Sequence, residues 1–333
     1  MNVGIIGVSG YTGLELIKCI LANPRLNLTY IAATSSGKIN EIFPQLFGVL
    51  DMDVQVANAK VASECCDLVF LALPHEKAME FVPQILNFGA KVVDLSADYR
   101  LSCELYEKNY VLHKDPANLA NAVYGLIEIN RERIKSAQLV ANPGCYPTCS
   151  LLALAPFAGL IDNDFGVMID AKSGVSGAGK GLKESSHFVA VNENLNAYNP
   201  LAHRHQDEIK EQFERQNNSK TDVLFVPNLL AITRGMSASI FIKLRKFFNA
   251  DEILREFYKD EKFIRIRENP VRIKDVVGTH FCDICVRQKG DKIWINSAID
   301  NLLRGASSQA MASANLMLEL DESLGLPIIA HGI

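Results

Sequence analysis

The first 22 residues constrain the fold of this chain more than any other segment. Val3-Gly4-Ile5-Ile6 is a short apolar run of strand character, and Gly7-Val8-Ser9-Gly10-Tyr11-Thr12-Gly13 is a glycine-spaced turn. Leu14 to Ala22 then reads as a helix, stopped by Asn23-Pro24. A buried strand that passes through glycines into a helix is the opening unit of a parallel α/β sheet. The Gly-x-x-Gly-x-x-Gly spacing is a variant of the dinucleotide fingerprint, in which glycines let backbone amides approach a pyrophosphate at the helix N-terminus. Gly7, Ser9, Gly10, Tyr11, Thr12 and Gly13 are therefore expected around a dinucleotide. A glycine turn alone is a weak signal; the strand before it and the helix after it supply the weight.

The next strand, Leu28 to Ala33, tests which dinucleotide. An acidic residue closing this strand would bind the ribose 2′-hydroxyl of NAD. Here the strand closes with Thr34-Ser35-Ser36-Gly37-Lys38. With no carboxylate in that run to repel a 2′-phosphate, Ser35, Ser36 and Lys38 favour NADP; the bland alternative is an ordinary loop. Asp67 to Leu73 and Lys91 to Leu95 read as further parallel strands, with helical periodicity over Lys77 to Phe88 between them. Their carboxyl ends lead into His75 and into Ser96-Ala97-Asp98-Tyr99-Arg100, where ligands bind in such sheets. His75 fits a cofactor contact and a capping role equally well.

At 333 residues, 48% of them hydrophobic, the chain is long enough for two domains with substantial cores. The formal net charge of −4 gives no basic excess for nucleic acid or an acidic membrane surface. No apolar run reaches the ~20 residues of a membrane span, and Met1-Asn2 runs straight into a strand, so a cytoplasmic protein is expected. The eight cysteines are scattered, which in a reducing compartment means free thiols. Cys282-x-x-Cys285 lies in a strand-like stretch, Thr279 to Arg287, and lacks a second ligand pair, so no metal is expected.

The chemistry concentrates in the second half. In Asn142-Pro143-Gly144-Cys145-Tyr146-Pro147-Thr148 a cysteine follows a strand-like run and precedes a helix-like run, Cys149 to Leu160. A thiol at a helix N-terminus feels the positive end of the macrodipole, which favours the nucleophilic thiolate. Otherwise Cys145 is simply a small buried hydrophobe. Gly166 to Ala171 reads as a strand, followed by Ser173-Gly174-Val175-Ser176-Gly177-Ala178-Gly179-Lys180, rich enough in amides and hydroxyls to hold an anion or oxyanion. It is not a Walker loop, because Gly181 follows Lys180. His203-Arg204-His205 opens a helix running to about Asn217; it offers a general acid or base and an anion clamp, or merely a capped, solvated helix end. Strands Phe225 to Ile232, Ser237 to Arg245 and Trp294 to Ser297, with a helix over Asp251 to Tyr258, predict an α+β domain with a mixed sheet. Gly305 through Leu320 reads as a small-residue helix that packs back on the first domain near the cofactor.

These motifs together resemble the N-acetyl-γ-glutamyl-phosphate reductase family of arginine biosynthesis, within the aspartate-semialdehyde dehydrogenase group. The resemblance spans nearly the whole chain: Gly7 to Gly13, Ser96 to Arg100, Asn142 to Thr148, Ser173 to Lys180, His203-Arg204-His205, Thr233-Arg234-Gly235-Met236, and Gly305 to Ala310 with Asn315. The fold it implies is α/β. A Rossmann-type parallel sheet over residues 1–145, completed by a C-terminal helix over 305–333, is joined to an α+β catalytic and oligomerisation domain over 146–304. It further implies Cys145 as nucleophile and His203 or His205 as acid/base, with His203 slightly preferred. Ser176, Gly177 and Asn315 would contact the NADP, and Arg100, Asn142, Lys180, Arg204 and Arg234 the substrate's phosphate and carboxylate. A homo-oligomer, dimer or tetramer, is expected. Two departures stand out: Asn228 where the family has His in Pro-His-Leu, and Lys38 as the nearest cation where the family often has Arg after the second strand. The rivals are a reductase of aspartyl or carrier-bound aminoadipyl phosphate, a cysteine hydrolase or acyltransferase without nicotinamide, and a nucleotide-sensing regulator without turnover.

Overall fold

The computed structural model describes residues 1–181 and 183–332. The chain forms two compact units, one of Met1–Pro143 with Ala306–Pro327, the other of Gly144–Gly305 with Ile328–Ile333. The helices that matter below are α1 (Tyr11–Leu21), α2 (Ala78–Asn87), α3 (Cys145–Leu154), α4 (Arg204–Asn217) and α5 (Ser308–Met317).

The N-terminal unit is built on β1 (Asn2–Ile6), β2 (Asn27–Ala33), β3 (Gly37–Lys38), β4 (Asp53–Val56), β5 (Leu68–Leu71), β6 (Lys91–Asp94), β7 (Val123–Tyr124) and β8 (Leu139–Ala141). Their order across the sheet is β3-β4-β2-β1-β5-β6-β8-β7, parallel except for β3 at the edge. The central strands are continuous apolar runs because both faces are covered; every residue of β5 is buried. β1 lies between β2 and β5, so the connections leave it in opposite directions and open a crevice at its carboxyl end, where the glycine turn sits. Helix α5 is buried along its whole length, which its Ala and Ser residues permit by allowing close backbone approach. Ser307, just before it, donates from Oγ to the Thr12 carbonyl at 2.9 Å, tying the start of α5 to the glycine turn.

The second unit has a mixed sheet of β9 (Val167–Gly174), β10 (Leu195–Ala197), β11 (Val223–Leu230), β12 (Met236–Lys243), β13 (Ile264–Ile266), β14 (Cys282–Lys289) and β15 (Lys292–Ile299). The order is β10-β11-β9-β12-β15-β14-β13. Along β12 buried Met236, Ala238, Ile240 and Ile242 alternate with more exposed Ser237, Ser239, Phe241 and Lys243, the period-2 signature of a sheet with one covered face. Helix α3 is buried from Tyr146 to Leu154, in keeping with a sequence that is apolar on most sides, Thr148 and Ser150 being its buried hydroxyls. Helix α4 is amphipathic and buries Ile209 and Phe213.

Several boundaries differ from the sequence reading. The helix expected from Cys149 to Leu160 runs instead over Cys145–Leu154. Pro147 does not stop it, because a first-turn residue has no intrahelical partner for its N–H to lose. A short 3₁₀ turn at Ala155–Phe157, with Pro156 in it, ends it early. Cys145, placed in the first domain from sequence, falls in the second unit, since the division lies at Pro143/Gly144. The C-terminal helix is confined to Ser308–Met317, and residues from Ile328 onward group with the second unit. The far end of the expected helix, Ile333, lies outside the described residues. Cys282 and Cys285 are three apart in β14, so their side chains leave opposite faces and cannot converge on one ion. Among the described residues no group of three or more His, Cys, Asp or Glu side chains could hold a metal.

Candidate active site

In the second unit Cys145 is the first residue of α3, half-buried, with Gly144 as N-cap. No side chain caps this helix end, and no acidic residue lies in its first turn. The first-turn amides and the macrodipole therefore act on the thiol without a local carboxylate on the same turn to offset them. One carboxylate reaches the turn from outside. Glu208 of α4, almost fully buried, accepts the Gly144 N–H at 2.9 Å and ties α4 to the start of α3. Gly305 faces the nucleophile directly: a Cβ on it would lie 2.7 Å from the Cys145 Cβ and 3.1 Å from its Cα.

His203 is the N-cap of α4, and its Nδ1 accepts the His205 N–H at 3.1 Å. The two imidazole centroids are 4.8 Å apart, and each lies 5.9 Å from the Tyr146 ring, the residue after the thiol. Tyr198 and Phe225 complete an edge-on aromatic cage around His203, at 5.5 and 5.6 Å. Burial, and after it the adjacent Arg204 guanidinium, press the His203 pKa down to about 4. Tyr198 donates to the Tyr146 hydroxyl at 3.1 Å, which in turn donates to the Asn228 carbonyl at 3.2 Å. Burial first pushes Tyr198 up to about 12 and lifts Tyr146 as well, so both phenols stay neutral. Asn228 thus meets this cluster through its backbone. Its side-chain amide donates to Asp170 Oδ1 at 2.7 Å and the Ala171 carbonyl at 3.1 Å, so the departure from His takes no side chain away from the thiol and imidazoles.

The expected cations divide into two kinds. Arg204 is exposed at the first position of α4, and Lys180 is exposed just past the 3₁₀ turn Val175–Ala178. Arg234, by contrast, lies against buried Asp300 through two contacts of 3.1 Å, and Asp300 also accepts the N–H groups of Gly278, Leu302 and Leu303. That pairing makes Arg234 an anchor of the turn that Asp300 organises. Ser176 Oγ accepts from Asn301 Nδ2 at 3.0 Å, and Gly177 is exposed beside it.

In the N-terminal unit the glycine turn fits a pyrophosphate. A Cβ on Gly7, whose φ is +92°, would lie 2.3 Å from the Ala72 carbonyl oxygen, and one on Gly13 would lie 2.3 Å from that of Val8. The α1 N-cap, Gly10, has no side-chain cap, and the first turn holds no acid, leaving a cradle of amides with no built-in anion. Ser9, Gly10 and Thr12 are partly exposed there, and Tyr11 is exposed. Ser35, Ser36 and Lys38 are also exposed. Lys38, however, pairs with Asp53 at 2.8 Å and faces Asp51 at 3.7 Å. The carboxylates missing from the loop sequence are brought in by the start of β4 and the residues before it, so Lys38 is not the uncontested phosphate cation that the sequence suggested.

Three other expected contacts take structural roles. Asn315 is fully buried; its Oδ1 accepts from Asn23 Nδ2 at 3.0 Å, and its amide hydrogens go to the Glu322 and Leu324 carbonyls at 3.0 and 2.9 Å. With both donors committed it braces the end of α1 against the C-terminal turn and offers none to a cofactor. Arg100 is buried and donates to the Asn142 and Leu95 carbonyls, both at 2.7 Å, clamping the strand ends rather than offering an exposed charge. Asn142 is buried too, with Nδ2 directed at the Pro143 and Ala306 carbonyls. His75 accepts the Ala97 N–H at Nδ1 and links two loops. The sequence reading overlooked Glu208, Tyr198 and Phe225 as site residues. Each reaches its place by tertiary packing, and only Glu208 carried a signal, lying one helical turn after Arg204.

Fold and site define a nicotinamide-dependent oxidoreductase of the semialdehyde dehydrogenase class. Residues 2–137 match the semialdehyde dehydrogenase NAD binding domain and residues 145–301 the semialdehyde dehydrogenase dimerisation domain. The N-acetyl-gamma-glutamyl-phosphate reductase of Campylobacter hominis is 68% identical, with 100% of this chain and 99% of that protein covered. That of Wolinella succinogenes is 55% identical over 99% and 98%. The chain belongs to the N-acetyl-γ-glutamyl-phosphate reductase family. Solved structures extend the fold to a sister group: aspartate semialdehyde dehydrogenase II of Vibrio cholerae superposes with a TM-score of 0.73 at 16% identity, over 96% of this chain and 98% of that one. The Candida albicans enzyme with NADP gives 0.69 at 13%, over 95% and 98%.

Proposed function

We propose that this chain reduces N-acetyl-γ-glutamyl phosphate to N-acetylglutamate γ-semialdehyde with NADPH, releasing phosphate, in arginine biosynthesis. The observation that carries the chemistry is Cys145 at the start of α3, whose own first turn holds no acidic residue, with the His203/His205 pair packed on the next residue. The thiolate attacks the acyl carbon, phosphate leaves, and a thioester remains on Cys145. When bound, NADPH supplies the hydride. The histidine pair handles the proton on the carbonyl oxygen, and collapse of the hemithioacetal returns the thiolate. Glu208 holds the turn that presents the sulfur. Arg204 and Lys180, exposed in the same unit, are the cations offered to the phosphate and carboxylate. Gly7, Ser9, Gly10, Tyr11, Thr12 and Gly13 hold the pyrophosphate, and the hydroxyls of Ser35 and Ser36 receive the 2′-phosphate. Ser176 and Gly177 offer further polar contacts to the nicotinamide end.

The working form is a homo-oligomer in the cytoplasm, where the eight thiols stay reduced. Exposed Met168, Leu224 and Phe241 on the sheet of the second unit support self-association. The test is Cys145→Ser: reduction of the acyl phosphate should be abolished while NADPH affinity survives, and mass spectrometry of quenched wild type should find the acyl group on Cys145. Full activity in Cys145→Ser would overturn the mechanism.

A further inference from the structure

Resting on that reading, we propose that Asp98 is a positioning residue for the cofactor: its carboxylate holds the loop after β5, residues 72–77, in the shape that receives the nicotinamide half of NADPH. Strand order places that loop. β5 pairs with β1 on the side away from β2, with Leu71 level with Ile6. The glycine turn and the loop therefore leave the sheet side by side, so closely that a Cβ on Gly7 would strike Ala72 and Leu73. With the pyrophosphate on the glycine turn and the 2′-phosphate at Ser35 and Ser36 beyond β2, the other half of the dinucleotide runs over the carboxyl end of β5.

The loop is held in a conformation that its own sequence disfavours. Glu76 has a φ of +72°, the left-handed region that a side chain resists. Its N–H donates to Asp98 Oδ1 at 2.7 Å, and the N–H of Ala78, the first residue of α2, donates to Oδ2 at 3.0 Å. Lys77, the N-cap of α2, gives that helix no side-chain cap. A carboxylate that only capped α2 would take amides of its first turn, whereas Oδ1 reaches back to the strained residue before it. Asp98 is itself immobilised. It is fully buried; the Tyr106 hydroxyl donates to Oδ1 at 3.0 Å, and the Asp98 N–H donates to Ser96 Oγ at 3.1 Å. His113 Nδ1 accepts the Asp115 N–H, which leaves the ring hydrogen on Nε2 to donate to the Asp98 carbonyl at 2.7 Å. A second tie joins the same two loops: the Ala97 N–H donates to His75 Nδ1 at 3.0 Å, and the rings of Tyr106, Tyr110 and His75 pack in series at 4.9 and 5.4 Å. Backbone strain sustained by a buried, fully engaged carboxylate beside a ligand crevice marks a preorganised binding loop.

Asp98→Asn keeps the size of the side chain and turns one of its acceptors into a donor that faces an N–H. In titration calorimetry of the full-length protein, folded Asp98→Asn should bind NADPH about tenfold or more weakly than wild type, because the loop relaxes from its left-handed turn. In initial rates the loss should fall on the KM for NADPH rather than on kcat, and iodoacetamide should alkylate Cys145 at the wild-type rate. Adding Glu76→Gly should restore most of the affinity, since glycine takes a φ of +72° without an anchor. Glu76→Val, a change at an exposed residue, forces a β-branched side chain into that region and should weaken NADPH to a similar degree with Asp98 intact, so the test stands even where Asp98→Asn does not fold. Wild-type NADPH affinity in folded Asp98→Asn or in folded Glu76→Val would overturn the inference, as would a loss that Glu76→Gly leaves unrepaired. A wild-type protein that binds no NADPH would overturn the cofactor reading beneath it, and the inference with it.

Discussion

Replacing Gly305 by alanine tests how tightly the nucleophile is held. The added methyl would stand 2.7 Å from the Cys145 Cβ and 3.1 Å from its Cα, where ordinary contact begins at 3.4 Å. At least about 0.7 Å of movement is needed, and the atoms in the way are backbone and a Cβ rather than a flexible tip. Overpacking of this kind costs about 1–3 kcal/mol of stability. Displacement of a reacting atom by about 1 Å costs about 100-fold in rate. Gly305→Ala should therefore remain folded, lose about 10- to 100-fold in kcat/KM, and change the rate at which iodoacetamide alkylates Cys145. Urea unfolding, initial rates with acyl phosphate and NADPH, and alkylation kinetics would measure the three effects. Wild-type rates and alkylation in a folded Gly305→Ala protein would refute the claim that Gly305 sets the position of the thiol.

Two further perturbations separate structural from functional residues. Asn315→Ala would leave the Glu322 and Leu324 carbonyls and the Asn23 amide short of partners, a loss of about 1–3 kcal/mol in unfolding free energy with NADPH affinity unchanged; weakened NADPH binding in a stably folded variant would restore Asn315 to the cofactor site. Burial, and then the neighbouring Asp98, raise the carboxyl of fully buried Asp94 from 3.8 to about 7. The folded state thus binds a proton that the unfolded state has lost, so this contribution is full below about pH 4 and disappears as pH rises through about 7. Asp94→Asn should remove that slope from urea-unfolding free energies measured across the window, and an unchanged slope would contradict the assignment.

The parallel sheet was legible because its central strands lie in apolar runs that end in turns: β1, β2, β5 and β6 fall within a few residues of where hydrophobicity alone places them. The short strands β3, β4, β7, β10 and β13, of two to four residues and at or next to a sheet edge, were not, because pairing with a neighbour rather than periodicity creates them. The thiol turn and the His-Arg-His run were legible as chemistry. What sequence could not supply was the pairing of charges. Arg100, Arg234 and Lys38 all looked like substrate or cofactor cations. Tertiary packing gives them the Asn142 and Leu95 carbonyls, Asp300, and Asp53 with Asp51 respectively. Asn315 likewise looked like a ligand contact and is a buried brace.

The reverse reaction with phosphate and NADP tests the account most directly. Initial rates should be compared for N-acetylglutamate semialdehyde and aspartate semialdehyde under the same conditions. The account predicts that kcat/KM favours N-acetylglutamate semialdehyde by at least about tenfold, or about 1.4 kcal/mol of transition-state binding. Equal rates, or a preference for aspartate semialdehyde, would contradict the substrate assignment while leaving the Cys145 chemistry standing.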